Sequence, residues 1–142
     1  MKRKICAGLY VNLVTIIATV VGFIYYMINC NTAYFANLGV NPVVAGCIIA
    51  AVILQIILIV IGMKNQPMWA DILPVATSVL LMLGTINFVS ARVNGIAAII
   101  TFENNAENMA DLNSAIISIA ACLIATVISI VASFFDVTKE AA

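Results

Sequence analysis

The chain has no histidine, and its 142 residues carry only six basic and six acidic side chains. Without histidine the usual haem ligand, the commonest metal ligand and the commonest general base are missing. That argues against a His-ligated four-helix cytochrome and a His-dependent membrane hydrolase. The four cysteines, Cys6, Cys30, Cys47 and Cys122, form no Cys-x-x-Cys pair, so thioredoxin-like and thiol-oxidase chemistries lack their motif. Cys30 and Cys47 alone fall near a common face, as a candidate disulfide; Cys47 and Cys122 read better as small apolar packing residues. Charge is missing altogether from Ile5 to Met63, from Ile72 to Ala91 and from Leu112 to Phe135. A proton- or ion-coupled carrier normally keeps a charged working group inside the membrane, and none is available in these stretches.

What fills the sequence instead is apolar surface, 65% of all residues, more than a water-soluble fold of this length buries. A helix needs about twenty apolar residues to cross the hydrocarbon, so the three charge-free stretches hold two spans, one span and one span. Asn29, Asn31, Asn37, Gly39, Asn41 and Pro42 divide the first stretch, since Asn, Gly and Pro punctuate helices. The expected spans are residues 5–28, 43–63, 70–90 and 113–135, with a loop over 92–112, in one all-α, four-helix transmembrane domain. Val and Ile are abundant, yet no ten-residue alternation of polarity marks a barrel strand. The first apolar run follows Met1-Lys2-Arg3-Lys4 but is too long for a signal-peptide core and lacks an Ala-x-Ala site, so it reads as a retained first helix.

Lys2, Arg3, Lys4, Lys64 and Lys139 fall on one side of this arrangement and Arg92 alone on the other. Positive residues stay cytoplasmic, which predicts both termini inside and a multi-pass plasma membrane protein. Tyr25, Tyr26, Trp69, Phe134 and Phe135 fall at span ends, where amphipathic rings favour the headgroup level.

Two internal likenesses suggest a duplicated helical hairpin. Ala45-Gly46-Cys47-Ile48-Ile49-Ala50 resembles Ala120-Ala121-Cys122-Leu123-Ile124-Ala125, and Thr15, Gly22, Ile24 and Tyr26 align with Thr77, Gly84, Ile86 and Phe88. A hairpin crosses twice, so the copies would be parallel repeats about an axis along the membrane normal. Chance matching in a poor alphabet is the competing explanation. In the fourth helix Ala121, Ala125, Ser129 and Ser133 form a small-residue packing seam, and Ser114, Ser118, Cys122 and Thr126 an adjoining polar stripe. In lipid such faces serve close helix contact, either within the monomer or with a partner. Gln55, alone in an otherwise apolar second helix, is expected to pair with Asn12, Asn87 or a hydroxyl, because an unpaired amide in hydrocarbon is costly.

The loop from Arg92 to Asn113 starts with an apolar stretch, Gly95 to Phe102, and then offers Asn104 with Glu107 as a reciprocal helix cap. If the fourth helix reaches back to Glu103, then Glu103, Glu107 and Asp111 share one face above the hydroxyl stripe, a candidate cation mouth. A solvated acidic face partly balanced by Arg92, an outer-face anchor, is the plainer alternative.

The segments Thr32 to Pro42, Ser90 to Gly95, Phe102 to Asn105 and Phe134 to Val137 together resemble short, uncharacterised four-helix membrane proteins of anaerobic Gram-positive bacteria. The resemblance implies a plasma membrane location and transfers no activity. From the residues themselves the first expectation is a non-enzymatic accessory or scaffold subunit of a larger membrane assembly, a transport system for instance. It would need no cofactor or metal, would touch no nucleic acid, and would have lipid, its own copies or another integral membrane protein as partners. The competing expectation is a small homo-oligomeric channel or facilitator for cations or polar solutes, resting on the acidic mouth and the duplication. A membrane enzyme ranks third, since nothing supplies an evident nucleophile and base.

Overall fold

Four helices long and apolar enough to cross a bilayer make up nearly all of the computed structural model, which describes residues 3–65 and 67–140. They are α1 (Ala7–Cys30), α2 (Pro42–Lys64), α3 (Ile72–Thr101) and α4 (Ala106–Ala132). In hydrocarbon a backbone must satisfy its own hydrogen bonds, and runs of Ile, Val, Leu and Ala without charge do so as helices. Asn41 starts α2: its side chain accepts from the Val43 amide at 2.9 Å, with Pro42 in the first turn where a missing N–H is harmless.

The third and fourth helices differ from their expected bounds. Residues 92–101, read as loop, continue α3 through Thr101, so that only residues 102–105 separate it from α4. Thirty residues at 1.5 Å each give about 45 Å, against about 30 Å of hydrocarbon, so α3 overhangs the bilayer core. The start of α4 is capped one residue later than expected, by Asn105, whose side chain accepts from the Asn108 amide at 2.8 Å. Asn108 in turn donates to the Glu103 carbonyl at 2.9 Å, so Glu103 precedes the helix rather than lying on it.

The helices run alternately up and down. Packing is closest between α1 and α4 and between α2 and α3, with α3 against α4 next. Of the neighbouring helix pairs, α1 and α2 meet least and leave a surface groove lined by Val20, Phe23, Ile48, Ile49, Val52 and Ile53. Two glycines mark close approaches between helices. A Cβ at Gly22 would come within 2.8 Å of the Cys122 sulfur, and one at Gly84 within 3.2 Å of Cys47 Cβ. Cys30 and Cys47 are both free thiols, so the candidate disulfide is not formed.

The first and last described segments lie at one end of the bundle, joined by a ribbon that hydropathy does not foretell. Strand β1 (Arg3–Ile5) pairs antiparallel with β2 (Thr138–Glu140), with Lys4 opposite Lys139 and Ile5 opposite Thr138. Cys6 N donates to the Val137 carbonyl at 3.1 Å, and the Thr138 hydroxyl donates to the Gly62 carbonyl at the end of α2. Val137 is thereby buried with Leu58, Ala70 and Leu73. Lys4, Lys64 and Lys139 are exposed at this terminal end, as are Trp69, Phe134 and Phe135. Lys2 lies outside the described residues.

Candidate functional site

The opposite, distal end is closed by a polar network centred on Arg92, which is only 2% exposed. Because α3 continues past residue 90, Arg92 stands on a helix and points into the bundle, where the segment between α1 and α2 folds over it. Its Nε donates to Asn29 Oδ1 at 2.9 Å, and one terminal nitrogen donates to the Gly39 carbonyl and to the Cys30 sulfur, each at 3.3 Å. The guanidinium also lies 5.3 Å from the centre of the Phe35 ring and 5.9 Å from that of Phe88. Neutral acceptors and ring faces therefore hold the cation, which is what an Arg fork and a weakly hydrated charge accommodate best. The sequence reading expected Arg92 as an outer-face anchor beside acids; its side chain is buried beneath the loop on neutral partners instead.

The remaining partners tie all the distal segments together. Asn29 Nδ2 donates to the Ser114 hydroxyl at 3.0 Å and the Asp111 carbonyl at 3.3 Å. Asp111 Oδ2 accepts from the Tyr34 amide at 3.0 Å, which fastens the α1–α2 segment to α4. The Tyr26 hydroxyl accepts from the Asn41 amide at 2.7 Å, and its ring meets Phe88 edge-on at 4.8 Å. Gly39 has φ of 62°, the left-handed region in which glycine pays no Cβ penalty, and this turns its carbonyl toward Arg92. A Cβ on Gly95 would sit 2.8 Å from the Phe35 ring and 3.2 Å from the Tyr34 ring, so glycine there lets both rings approach α3 closely.

The three acids of the expected mouth are not brought together on a helix face. Glu103 lies before the Asn105 cap, Glu107 is exposed in the first turn of α4, and Asp111 is half-buried and bonded to the loop. The Glu103 carboxylate instead acts on the Tyr34 phenol and raises its pKa above the ordinary value. Acids early in α4 still suit the positive end of its dipole.

The polar stripe of α4 is inside the bundle. Ser114, Ser118, Cys122 and Thr126 are all buried; Ser118 donates to the Gly22 carbonyl of α1 at 2.7 Å, and Thr126 to its own helix at Cys122. Of the seam, Ala125 and Ser129 are buried, Ala121 is half-buried against Gly22, and Ser133 is exposed. Ser129 pairs with the Ser78 hydroxyl of α3 at 2.9 Å. Gln55 is buried, yet neither amide atom has a hydrogen-bond partner, while Asn12 and Asn87 bond to their own helices at Gly8 and Leu83. The sequence reading foresaw the burial of this amide and not its isolation.

Sequence reasoning missed Asn29, Phe35 and Gly39 as partners of Arg92. Their one signal was position, in the break between the first two spans. Among the described residues no group of three Cys, Asp or Glu side chains is gathered as metal ligands are. The geometry is that of a clasp: it fixes the loops over one end of the bundle and holds a cation out of water. No protein-family model, no curated protein and no solved structure matches this chain.

Proposed function

We propose that this chain is a non-enzymatic integral membrane subunit, an accessory or scaffold component of a larger membrane assembly such as a transport system. The observation that carries the reading is where the polar groups go. The α4 hydroxyl stripe is occupied by contacts to α1 and α4, and the outward surface of α2 is Val43, Ile49, Ile53, Ile56, Ile57, Val60 and Met63. Such a body offers its neighbours an apolar, lipid-facing exterior. The buried Arg92 also disfavours a cation path through the monomer, since a fixed positive charge at a pore entrance repels cations.

Plasma membrane insertion with both termini cytoplasmic is part of the same reading. Among the described residues every exposed cation with a described side chain, Lys4, Lys64 and Lys139, is at the terminal end, which sharpens the bias behind the positive-inside rule. Tandem duplication is supported by reciprocity. Gly22 and Gly84 align in the two halves, as do Cys47 and Cys122, and the contacts are crossed: Gly22 of α1 meets Cys122 of α4, while Gly84 of α3 meets Cys47 of α2. The aligned pair Tyr26 and Phe88 touch each other, as residues beside a two-fold axis do.

Affinity purification of the tagged chain from its own membranes in mild detergent tests the proposal. Reproducible co-purification of another integral membrane complex is the expected result. Recovery of self-oligomers alone, with cation flux in liposomes that falls when Glu103, Glu107 and Asp111 are replaced by Gln, Gln and Asn, would replace it with the channel reading.

A further inference from the structure

All four helices place buried polar side chains in one layer midway along the bundle. They are Asn12 and Thr15 of α1, Gln55 of α2, Thr77 of α3 and Ser129 of α4. Two apolar clusters bracket the layer: Ala51, Leu81 and Ala125 with Ala18 on the distal side, and Leu58, Leu73 and Val137 with Leu9 on the terminal side. Gln55 lies between Ala51 and Leu58 along α2, and Thr77 between Leu73 and Leu81 along α3. Most members of the layer have partners. Asn12 donates to Gly8 O at 2.8 Å, Thr15 to Val11 O at 2.9 Å, and Ser129 pairs with Ser78. Gln55 Nε2, Gln55 Oε1 and the Thr77 hydroxyl have none, though the residues are 1% and 0% exposed.

The unmet groups define what would satisfy them. An amide offers two N–H donors and a carbonyl acceptor, and a hydroxyl both donates and accepts. A cation would engage only the oxygens and an anion only the hydrogens. Either would also bring net charge into the middle of the hydrocarbon, in a layer without a charged side chain. Lipid tails can serve neither donor nor acceptor. A small neutral molecule that both donates and accepts meets every requirement, and buried water bridging otherwise unsatisfied groups is a regular part of protein interiors.

We infer that the layer formed by Gln55 and Thr77 is a binding site for water in the middle of the membrane-spanning bundle. Water there bridges the Gln55 amide to the Thr77 hydroxyl. The apolar clusters on either side separate it from both membrane faces, so the site is an isolated hydrated point. The inference needs only the bundle and does not depend on the accessory reading.

The test uses the full chain in lipid nanodiscs, with side-chain 15N-glutamine, side-chain 15N-asparagine and 13C-methyl leucine introduced in separate samples, and water itself as the probe. In the glutamine-labelled sample only Gln55 and Gln66 give signals, and Gln66→Glu assigns them. Water-edited solid-state NMR is expected to transfer magnetisation to the Gln55 amide, with the Leu58 and Leu81 methyl groups remaining dry and the exposed Asn37 amide as positive control. Thr77→Val, which keeps the shape and removes the hydroxyl, is expected to reduce that transfer severalfold while the Gln55 signal stays in place. Absence of transfer to Gln55 while Asn37 shows it would overturn the site. Full transfer in a folded Thr77→Val protein would remove Thr77 from it and overturn the bridge; should that variant not fold, the parental measurement alone decides.

Discussion

Replacing Arg92 with Met isolates the contribution of the distal clasp, because Met keeps an apolar stem of similar reach and removes only the guanidinium. The charge-assisted bond to Asn29 at 2.9 Å contributes roughly 1.5–3 kcal/mol and the longer bond to Gly39 about 1. The two ring faces at 5.3 and 5.9 Å add about 0.5–1 kcal/mol each. Against this, Met no longer carries the desolvation penalty of a buried cation, so we expect a net loss of about 2–4 kcal/mol. The loss should be local, felt first in the segment from Asn31 to Asn41. Cys30, 5% exposed beneath that segment, reports its opening. With Cys6 and Cys47 replaced by Ser and Ala, and rates normalised to the unfolded chain, maleimide labelling of Cys30 should accelerate roughly 30- to 1,000-fold, at one decade per 1.4 kcal/mol. Arg92→Lys, which keeps charge but not the fork, should fall between. Labelling of Arg92→Met at the parental rate, with parental unfolding in detergent, would refute the claim that Arg92 holds the loop.

Three further results are expected. Ala125→Leu forces a large side chain into a fully buried position of α4 and should cost about 1–3 kcal/mol or prevent assembly, read by unfolding in bicelles; parental stability would mean this face is not packed. Ser118→Ala removes the bond to the Gly22 carbonyl and should cost about 0.6 kcal/mol and no more than about 1.7, measured by steric trapping; a larger loss would assign the residue more than one helix contact. Folding raises the Tyr34 pKa through Glu103, so this contribution is complete below the ordinary tyrosine value and is lost as pH rises through the folded value. In Glu103→Gln the Tyr34 phenol, followed by 13C-tyrosine NMR, should titrate at lower pH than in the parent; an unmoved titration would place its cause elsewhere.

The four helices were legible because long apolar runs in lipid have one economical conformation, and hydropathy reports those runs directly. The distal end of α3 was not, since Arg92, Asn94 and Gly95 look like loop residues until Phe35 and Asn29, some sixty positions earlier, are known to cover them. The α4 stripe was visible as a spacing of four, but which neighbour it served depended on the Gly22 carbonyl, a backbone group without a sequence signature. Gln55 was singled out as the lone amide of the second helix, yet its expected partner rested on chemistry alone, and Asn12 and Asn87 bond to their own backbones instead. The terminal ribbon left no trace, because three-residue strands are too short to show alternation.

The order in which the chain is made acquires meaning from that ribbon. Among the described elements α1, made before the other helices, finds its principal packing partner in α4, made after them, and β1 pairs with β2. Until α4 is made, the α1 face that carries Asn12, Thr15 and Thr19 lacks its principal packing partner, while α2 and α3 can already form a hairpin. Assembly therefore comes together late: a chain interrupted before α4 leaves that face of α1 open to the bilayer, and the arrival of α4 conceals it.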